Sequence, residues 1–209
     1  MGEARGRFIT FEGGEGGGKS TQARRLAAHL AARGLPVLVT REPGGSSGAE
    51  KIRSLLLDGL GFDPVAEAML MFAARREHVV ATIRPALEAG IWVVCDRFAD
   101  STRAYQCHGQ GVPGEVYRKL AELALEGLAP DLTLVLDIAP GAGMARAASR
   151  GAAADRYERL DAGFHARVRA GFLAIAAAEP GRCAVLDAAR DAEAVFAEVV
   201  ATVEARLGL

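Results

Sequence analysis

Asparagine is absent from the 209-residue sequence, and lysine is scarce, with Lys19, Lys51 and Lys119 set against 22 arginines. Without asparagine there is no N-K-x-D element, the tetrapeptide with which GTP switch proteins read guanine. An excess of charge of either sign is also missing, since 25 Lys+Arg meet 26 Asp+Glu for a net charge of −1. That balance excludes a uniformly basic surface for nucleic acid or anionic membrane, so any polyanion must be gripped locally. Long apolar runs are missing too: charge or glycine interrupts each one within ~18 residues, short of a membrane span. The opening Met1-Gly2-Glu3-Ala4-Arg5 carries no apolar block of the signal-peptide kind. A soluble, cytoplasmic protein with no nucleic-acid and no membrane partner is the expectation. The three cysteines, Cys95, Cys107 and Cys183, form neither a C-x-x-C pair nor an even disulfide framework and read as reduced thiols. The four histidines are equally scattered, which leaves no zinc-ligand spacing. No linker, repeat or low-complexity block divides the chain, so residues 1–209 are expected to form a single domain.

Half of the residues are apolar, and their order describes an alternation of strand and helix. Arg7 to Glu12, Pro36 to Thr40, Ile91 to Asp96, Leu132 to Asp137 and Cys183 to Asp187 are short β-prone runs. Strands so continuously apolar are covered on both faces, as in a parallel sheet with helices on either side. Helical spacing predicts the cover: Ser20 to Arg33, Ala49 to Leu57, Pro64 to Ala89, Glu115 to Glu126, Ala142 to Ser149, Glu158 to Ala178 and Ala192 to Arg206. Gly34 and Gly90 close two of these helices. The fold class expected is α/β, a doubly wound, five-stranded parallel sheet.

Between the first strand and the first helix lies Gly13-Gly14-Glu15-Gly16-Gly17-Gly18-Lys19-Ser20, which satisfies G-x-x-x-x-G-K-[ST] in the context this motif requires. Composition alone gives roughly 0.003 chance matches in a chain of this make-up, so the motif is taken as a P-loop of the NTPase type. Its glycines let backbone N–H groups converge on phosphate oxygens at the positive end of a helix dipole. Gly13 to Thr21 would bind ATP, with Lys19 reaching the β- and γ-phosphates and the Ser20 hydroxyl ligating Mg²⁺. A switch, a motor and a kinase all use such a loop. A small-molecule kinase also needs a second anion site built from arginines. Asp96-Arg97 places a carboxylate and a guanidinium at the C-terminal edge of the sheet, where ligands bind in open α/β folds. Arg75 lies on the long helix leading into that strand.

These features occur within a larger pattern: FEGGEGGGKST (Phe11 to Thr21), TREPGG (Thr40 to Gly45), EKIRSLLL (Glu50 to Leu57), Arg75-Arg76-Glu77-His78, DRFADSTRAYQ (Asp96 to Gln106), PDLTLVLD (Pro130 to Asp137) and DRYE (Asp155 to Glu158). In this order, over nearly the whole chain, they resemble the bacterial thymidylate kinases, enzymes of nucleoside monophosphate phosphorylation. The resemblance implies transfer of the ATP γ-phosphoryl group to dTMP, giving dTDP, with Mg²⁺ and commonly in a homodimer. It also implies roles. Glu15 approaches the dTMP sugar, Arg97 grips the nucleotide phosphate, and Asp96 assists Mg²⁺ or orients Arg97. Arg75 and Arg53 are similar to phosphate contacts, Thr102 and Gln106 address the thymine edge, and Tyr105 packs where a 2′-hydroxyl would sit.

The family carries its catalytic arginine either in the P-loop or on a LID over ATP. Gly16 occupies the P-loop position here, so the LID resemblance at about 149–158 makes Arg150 and Arg156 the candidates to stabilise the transferring phosphoryl. Three positions depart from the pattern. The phenylalanine that stacks on thymine is replaced by Met71, leaving either Met71 or its neighbour Phe72 for that role, with Phe72 preferred. Gln110 stands where many members have arginine, and Phe98 replaces a usual tyrosine. The alternatives are a kinase for dUMP, CMP or AMP, or a nucleotide-binding switch with no acceptor. Leu70, Leu87, Leu120 and Leu123 are candidates for a dimer face or for core.

Overall fold

The computed structural model describes residues 5–58, 61–149 and 156–209. Five strands, β1 (Phe8–Glu12), β2 (Val37–Arg41), β3 (Trp92–Asp96), β4 (Leu132–Asp137) and β5 (Cys183–Asp187), form one sheet in the order β2-β3-β1-β4-β5. Every neighbouring pair is parallel. The cover on both faces expected of all five strands holds for the three inner ones, whose alternate residues face opposite layers, while β2 and β5 at the edges are only partly buried. Ile9, Phe11, Val94 and Leu134 meet Leu26 and Leu30 of α1 (Lys19–Ala32) and Val199 of α9 (Ala192–Leu207). On the other face, Phe8, Val93 and Cys95 pack against Val79, Ile83 and Leu87, while Val135 and Cys183 meet Phe172 and Ile175 of α8 (Ala162–Ala178). Helices therefore cover both faces, as expected of a doubly wound sheet.

The long helix expected from Pro64 to Ala89 is one helical run in three parts. These are α3 (Pro64–His78), a π-helical turn (Val79–Ile83) and α4 (Arg84–Glu88). Asp63 starts it, its side chain accepting from the N–H groups of Val65 and Ala66. Pro85 cannot donate to the carbonyl one turn back and would clash with it, and the widened turn just before lets the helix continue past it. Leu87 is core, which removes it from the candidate dimer face.

Two expectations need correction. The helix expected from Glu158 begins at Ala162, because the Asp161 side chain accepts from Phe164 N at 2.9 Å and sets the N-terminus there. The DSTRAYQ stretch, to which no element was assigned, is helical: α5 (Ala99–Thr102) runs into a second π-turn (Arg103–Gly109). The remaining helices are α2 (Ser47–Leu57), α6 (Gly114–Leu125) and α7 (Pro140–Ala148).

Candidate active site

β1 lies between β3 and β4, so its C-terminal end opens at the point where successive strands diverge, and the P-loop leaves from there. Gly16 has φ +69°, and a Cβ on it would lie 1.9 Å from the carbonyl oxygen of Gly143 in α7. No side chain fits between the loop and that helix. The P-loop arginine that the resemblance offered as one alternative therefore has no room here. Lys19 folds back to donate to the Gly14 carbonyl at 2.7 Å. Burial, then the neighbouring Arg97, pulls its ammonium down to about 8, against the opposing pull of Glu15, Asp96 and Glu12.

Asp96 closes β3 in register with Phe11, beside the root of the P-loop. Its Oδ2 accepts a short hydrogen bond from the Ser20 hydroxyl, while its buried Oδ1 has no partner among the described residues. An acceptor-only oxygen, buried and unpaired next to a P-loop hydroxyl, fits Mg²⁺. That ion takes few protein ligands and completes its shell with water and substrate phosphates. Of the two roles expected of Asp96, the geometry favours the metal, because Arg97 is held by other groups.

Those groups form a compact cluster. Arg97 Nη2 donates to Glu15 Oε1 at 2.6 Å and to the Tyr105 hydroxyl at 3.0 Å, and its Nη1 donates to the Gly13 carbonyl and the Ser101 hydroxyl at 3.2 Å each. Tyr105 in turn donates to Glu15 Oε1 at 2.6 Å. Burial by itself would raise Glu15, but Arg97, Lys19 and the tyrosine hydroxyl outweigh it and hold the carboxyl at about 2. Arg97 takes φ +70°, a left-handed conformation uncommon for any residue but glycine and found at functional turns. Glu12 supports that turn from beneath. It accepts from Phe98 N at 2.8 Å, from Ser101 N at 3.3 Å and from the Ser101 hydroxyl at 2.6 Å.

A second guanidinium is anchored deeper. Arg75 Nε donates to Glu42 Oε2 at 2.7 Å, and its Nη2 donates to the Phe98 carbonyl and the Thr102 hydroxyl at 3.0 and 3.1 Å. Its buried Nη1 has no partner among the described residues. His78 holds the other oxygen of Glu42 through Nδ1 at 3.0 Å, and its Nε2 shares a hydrogen bond with Thr40 at 2.7 Å. A cavity of about 530 Å³ joins these groups, passing from Lys19 and Ser20 by Arg97 and Tyr105 to Met71 and Arg75. It is thus lined by one phosphate-binding loop at one end and by two fixed arginines along its course.

A family model described as thymidylate kinase matches residues 11–199. The thymidylate kinase of Caulobacter vibrioides is 54% identical over 206 residues, covering 98% of this chain and 99% of that protein. That of Chromohalobacter salexigens is 51% identical over 205 residues, 97% of each. The crystal structure of the thymidylate kinase from Ehrlichia chaffeensis matches with a TM-score of 0.78 at 36% identity, covering 96% of this chain and 99% of that one. The chain belongs to the thymidylate kinase family.

The structure gathers most of the residues expected from that resemblance. Glu15, Gly16, Gly18, Lys19, Ser20 and Thr21 line the P-loop end of the cavity, with Gly13, Gly14 and Gly17 in the loop behind them. Arg53, Thr102, Tyr105 and Gln106 line the other end, and Arg53 also donates to the Pro43 carbonyl at 2.6 Å. The thymidylate kinase pattern left Met71 and Phe72 as stacking candidates, and the structure separates them. Met71 lines the cavity, whereas Phe72 is turned away, edge-on to Tyr117 at 5.4 Å between centroids and beneath Arg75 at 4.7 Å. The preference for Phe72 is therefore corrected, since successive helix positions diverge by about 100°. Arg156 is also placed differently from expectation. Its guanidinium forms an ion pair with buried Glu67 and does not line the cavity. Arg150, the other LID candidate, lies outside the described residues. Glu12, Glu42, Glu67, His78 and Ser101 were not anticipated. Glu12 and Glu42 did carry a signal, an acid placed where an apolar strand meets a glycine or proline turn.

Proposed function

We propose that the chain transfers the γ-phosphoryl group of ATP to dTMP, giving dTDP and ADP, as a single kinase domain spanning 1–209 with a LID at about 149–158. The observation that carries this reading is the juxtaposition in one cavity of the Lys19 and Ser20–Asp96 end with the anchored arginines Arg97 and Arg75. Phosphoryl transfer demands positioning and charge neutralisation more than covalent help. The P-loop N–H groups and Lys19 hold the donor phosphates. Ser20 and Asp96 would hold Mg²⁺, which would supply charge neutralisation at the phosphate oxygens when bound. Arg97, kept in place by Glu15, Tyr105 and Ser101, meets the acceptor phosphate, and Nη1 of Arg75 meets the same acceptor. Tyr105, its hydroxyl pinned between Glu15 and Arg97, fills the space a ribose 2′-hydroxyl would need.

The reading includes a cytoplasmic location, where ATP and Mg²⁺ are available, and a homodimer. Among the described residues no helix is long and apolar enough to cross a membrane. Exposed Leu55, Met69 and Leu123, on the adjoining helices α2, α3 and α6, support the dimer. The deciding experiment is ADP release from ATP·Mg²⁺ with dTMP, dUMP, UMP, CMP or AMP as acceptor. Strong stimulation by dTMP alone is expected. Stimulation by another monophosphate would reassign the acceptor, and stimulation by none would overturn the kinase reading in favour of a nucleotide-binding switch.

A further inference from the structure

Glu67 sits on α3, one turn before Met71, fully enclosed and outside the cavity lining. Its carboxylate nevertheless collects donors from two segments remote in sequence, residues 106–110 and 156–157. Oε1 accepts from Gln106 Nε2 at 2.8 Å, from Gln110 Nε2 at 3.0 Å and from the Tyr157 hydroxyl at 2.8 Å, while Oε2 accepts from the Arg156 guanidinium. Gln106 Nε2 makes a second donation, to the Tyr157 hydroxyl at 3.3 Å. An amide nitrogen has two hydrogens, so both are used on the inner side. Gln106 lines the cavity, and its Oε1 makes no hydrogen bond among the described residues.

A carboxylate only accepts, so it can face only the nitrogen end of a carboxamide, and the oxygen end must point the opposite way. We infer that Glu67 is the positioning residue that sets acceptor specificity: it locks Gln106 with its oxygen toward the cavity, so that the pocket reads an imino N–H. This inference rests on the cavity being the acceptor site. A pyrimidine-2,4-dione such as thymine presents N3–H to that oxygen and is accepted. A 4-aminopyrimidine such as cytosine presents a lone pair there, oxygen against nitrogen, with no hydrogen between them. Rejection of a mismatched polar edge by a fixed buried group is more discriminating than a missing apolar contact.

The arrangement makes a directional prediction. In Glu67→Gln the new carboxamide must keep its oxygen toward Arg156, a donor, and so must turn its NH₂ toward Gln106. Gln106 then flips to accept, presenting its own NH₂ to the cavity. The ratio of kcat/KM for dTMP over dCMP should fall at least tenfold by the loss on dTMP and gain on dCMP together, with the KM for ATP within twofold of wild type. In a Gln106→Met background the same substitution should leave the ratio unchanged, because its effect passes through Gln106. Tyr157→Phe, which removes one acceptor of the Gln106 nitrogen, should lower the ratio severalfold and decides the matter if Glu67→Gln does not fold. An unchanged ratio in whichever of these variants folds, with both acceptors slowed equally, would make Glu67 a structural anchor and overturn the inference. A wild-type protein indifferent to both monophosphates would overturn the acceptor reading instead, so the two failures are distinguishable.

Discussion

The ammonium of Lys19 occupies a place that works against its charge, buried beside a guanidinium and lowered to about 8. Free protein above that pH therefore carries a neutral lysine, and bound phosphates restore the proton. ATP affinity should weaken as pH rises through 8. Calorimetry in buffers of different ionisation enthalpy should find little proton uptake at pH 7 and about one proton per ATP at pH 9. Lys19→Ala should lose turnover by about 10³-fold with an unchanged melting transition, since a cradled phosphate contact acts on transfer rather than on the core. The pair at 71 and 72 separates binding from stability. Met71→Ala should raise the KM for dTMP severalfold with little change in kcat. Phe72→Ala should instead destabilise by about 3 kcal/mol in urea unfolding, the usual loss for a buried aromatic, with a smaller effect on KM. At this scale the P-loop and the Asp96-Arg97 pair were legible because their chemistry depends on local spacing. Glu67 was not. Its partners are 39, 43 and 90 residues away in sequence, and a single acid on an apolar helix looks like any solvated residue until the packing is known.

Among the elements, α5 and the π-turn after it show most plainly how position is obtained. Four residues of α5 are too few to be stable alone, and Glu12 caps them from the sheet. Burial, then the Asp100 carboxylate, pushes Glu12 up to about 8. Its folded-state pKa is thus above the unfolded value of 4.5. The native carboxyl keeps a proton that the unfolded chain releases, so this contribution to stability is complete below 4.5 and lost as pH rises through 8. Glu12→Gln lacks that titration while keeping an acceptor for Phe98 N. Relative to wild type, its stability in urea should therefore be more favourable at pH 8 than at pH 5. A pH-independent difference would remove the titration from Glu12. The π-turn that follows widens the helix so that adjacent Tyr105 and Gln106 both turn inward, one to Arg97 and one to Glu67. Regular helical spacing predicts no such pair, and for that reason DSTRAYQ was readable as a motif and not as an element.

For the whole molecule, sheet class and layer count were legible because five apolar runs alternate with helical spacing, and a parallel sheet must be covered on both faces. The order of strands was not, since nothing local says that β1 pairs with β3 and β4 rather than with β2, the strand next to it in sequence. Assembly belongs to this scale as well. Light scattering on the eluting protein at micromolar concentration should give twice the 21.8 kDa chain mass. Leu123→Glu, on a residue 74% exposed, should reduce the mass to one chain without shifting the melt of the monomer. A wild-type protein of single-chain mass would remove the dimer.

The close approach of Gly16 to Gly143 also bears on descent. Glycine and arginine codons can differ by one base, so a charged P-loop is one step away in the gene. In the protein that step is barred, because the first side-chain atom would meet a backbone oxygen at 1.9 Å that belongs to another helix. A lineage with this contact can acquire a P-loop arginine only after α7 has moved away, and every intermediate must still phosphorylate its substrate. Two glycines packed backbone to backbone thus hold the loop to its uncharged form.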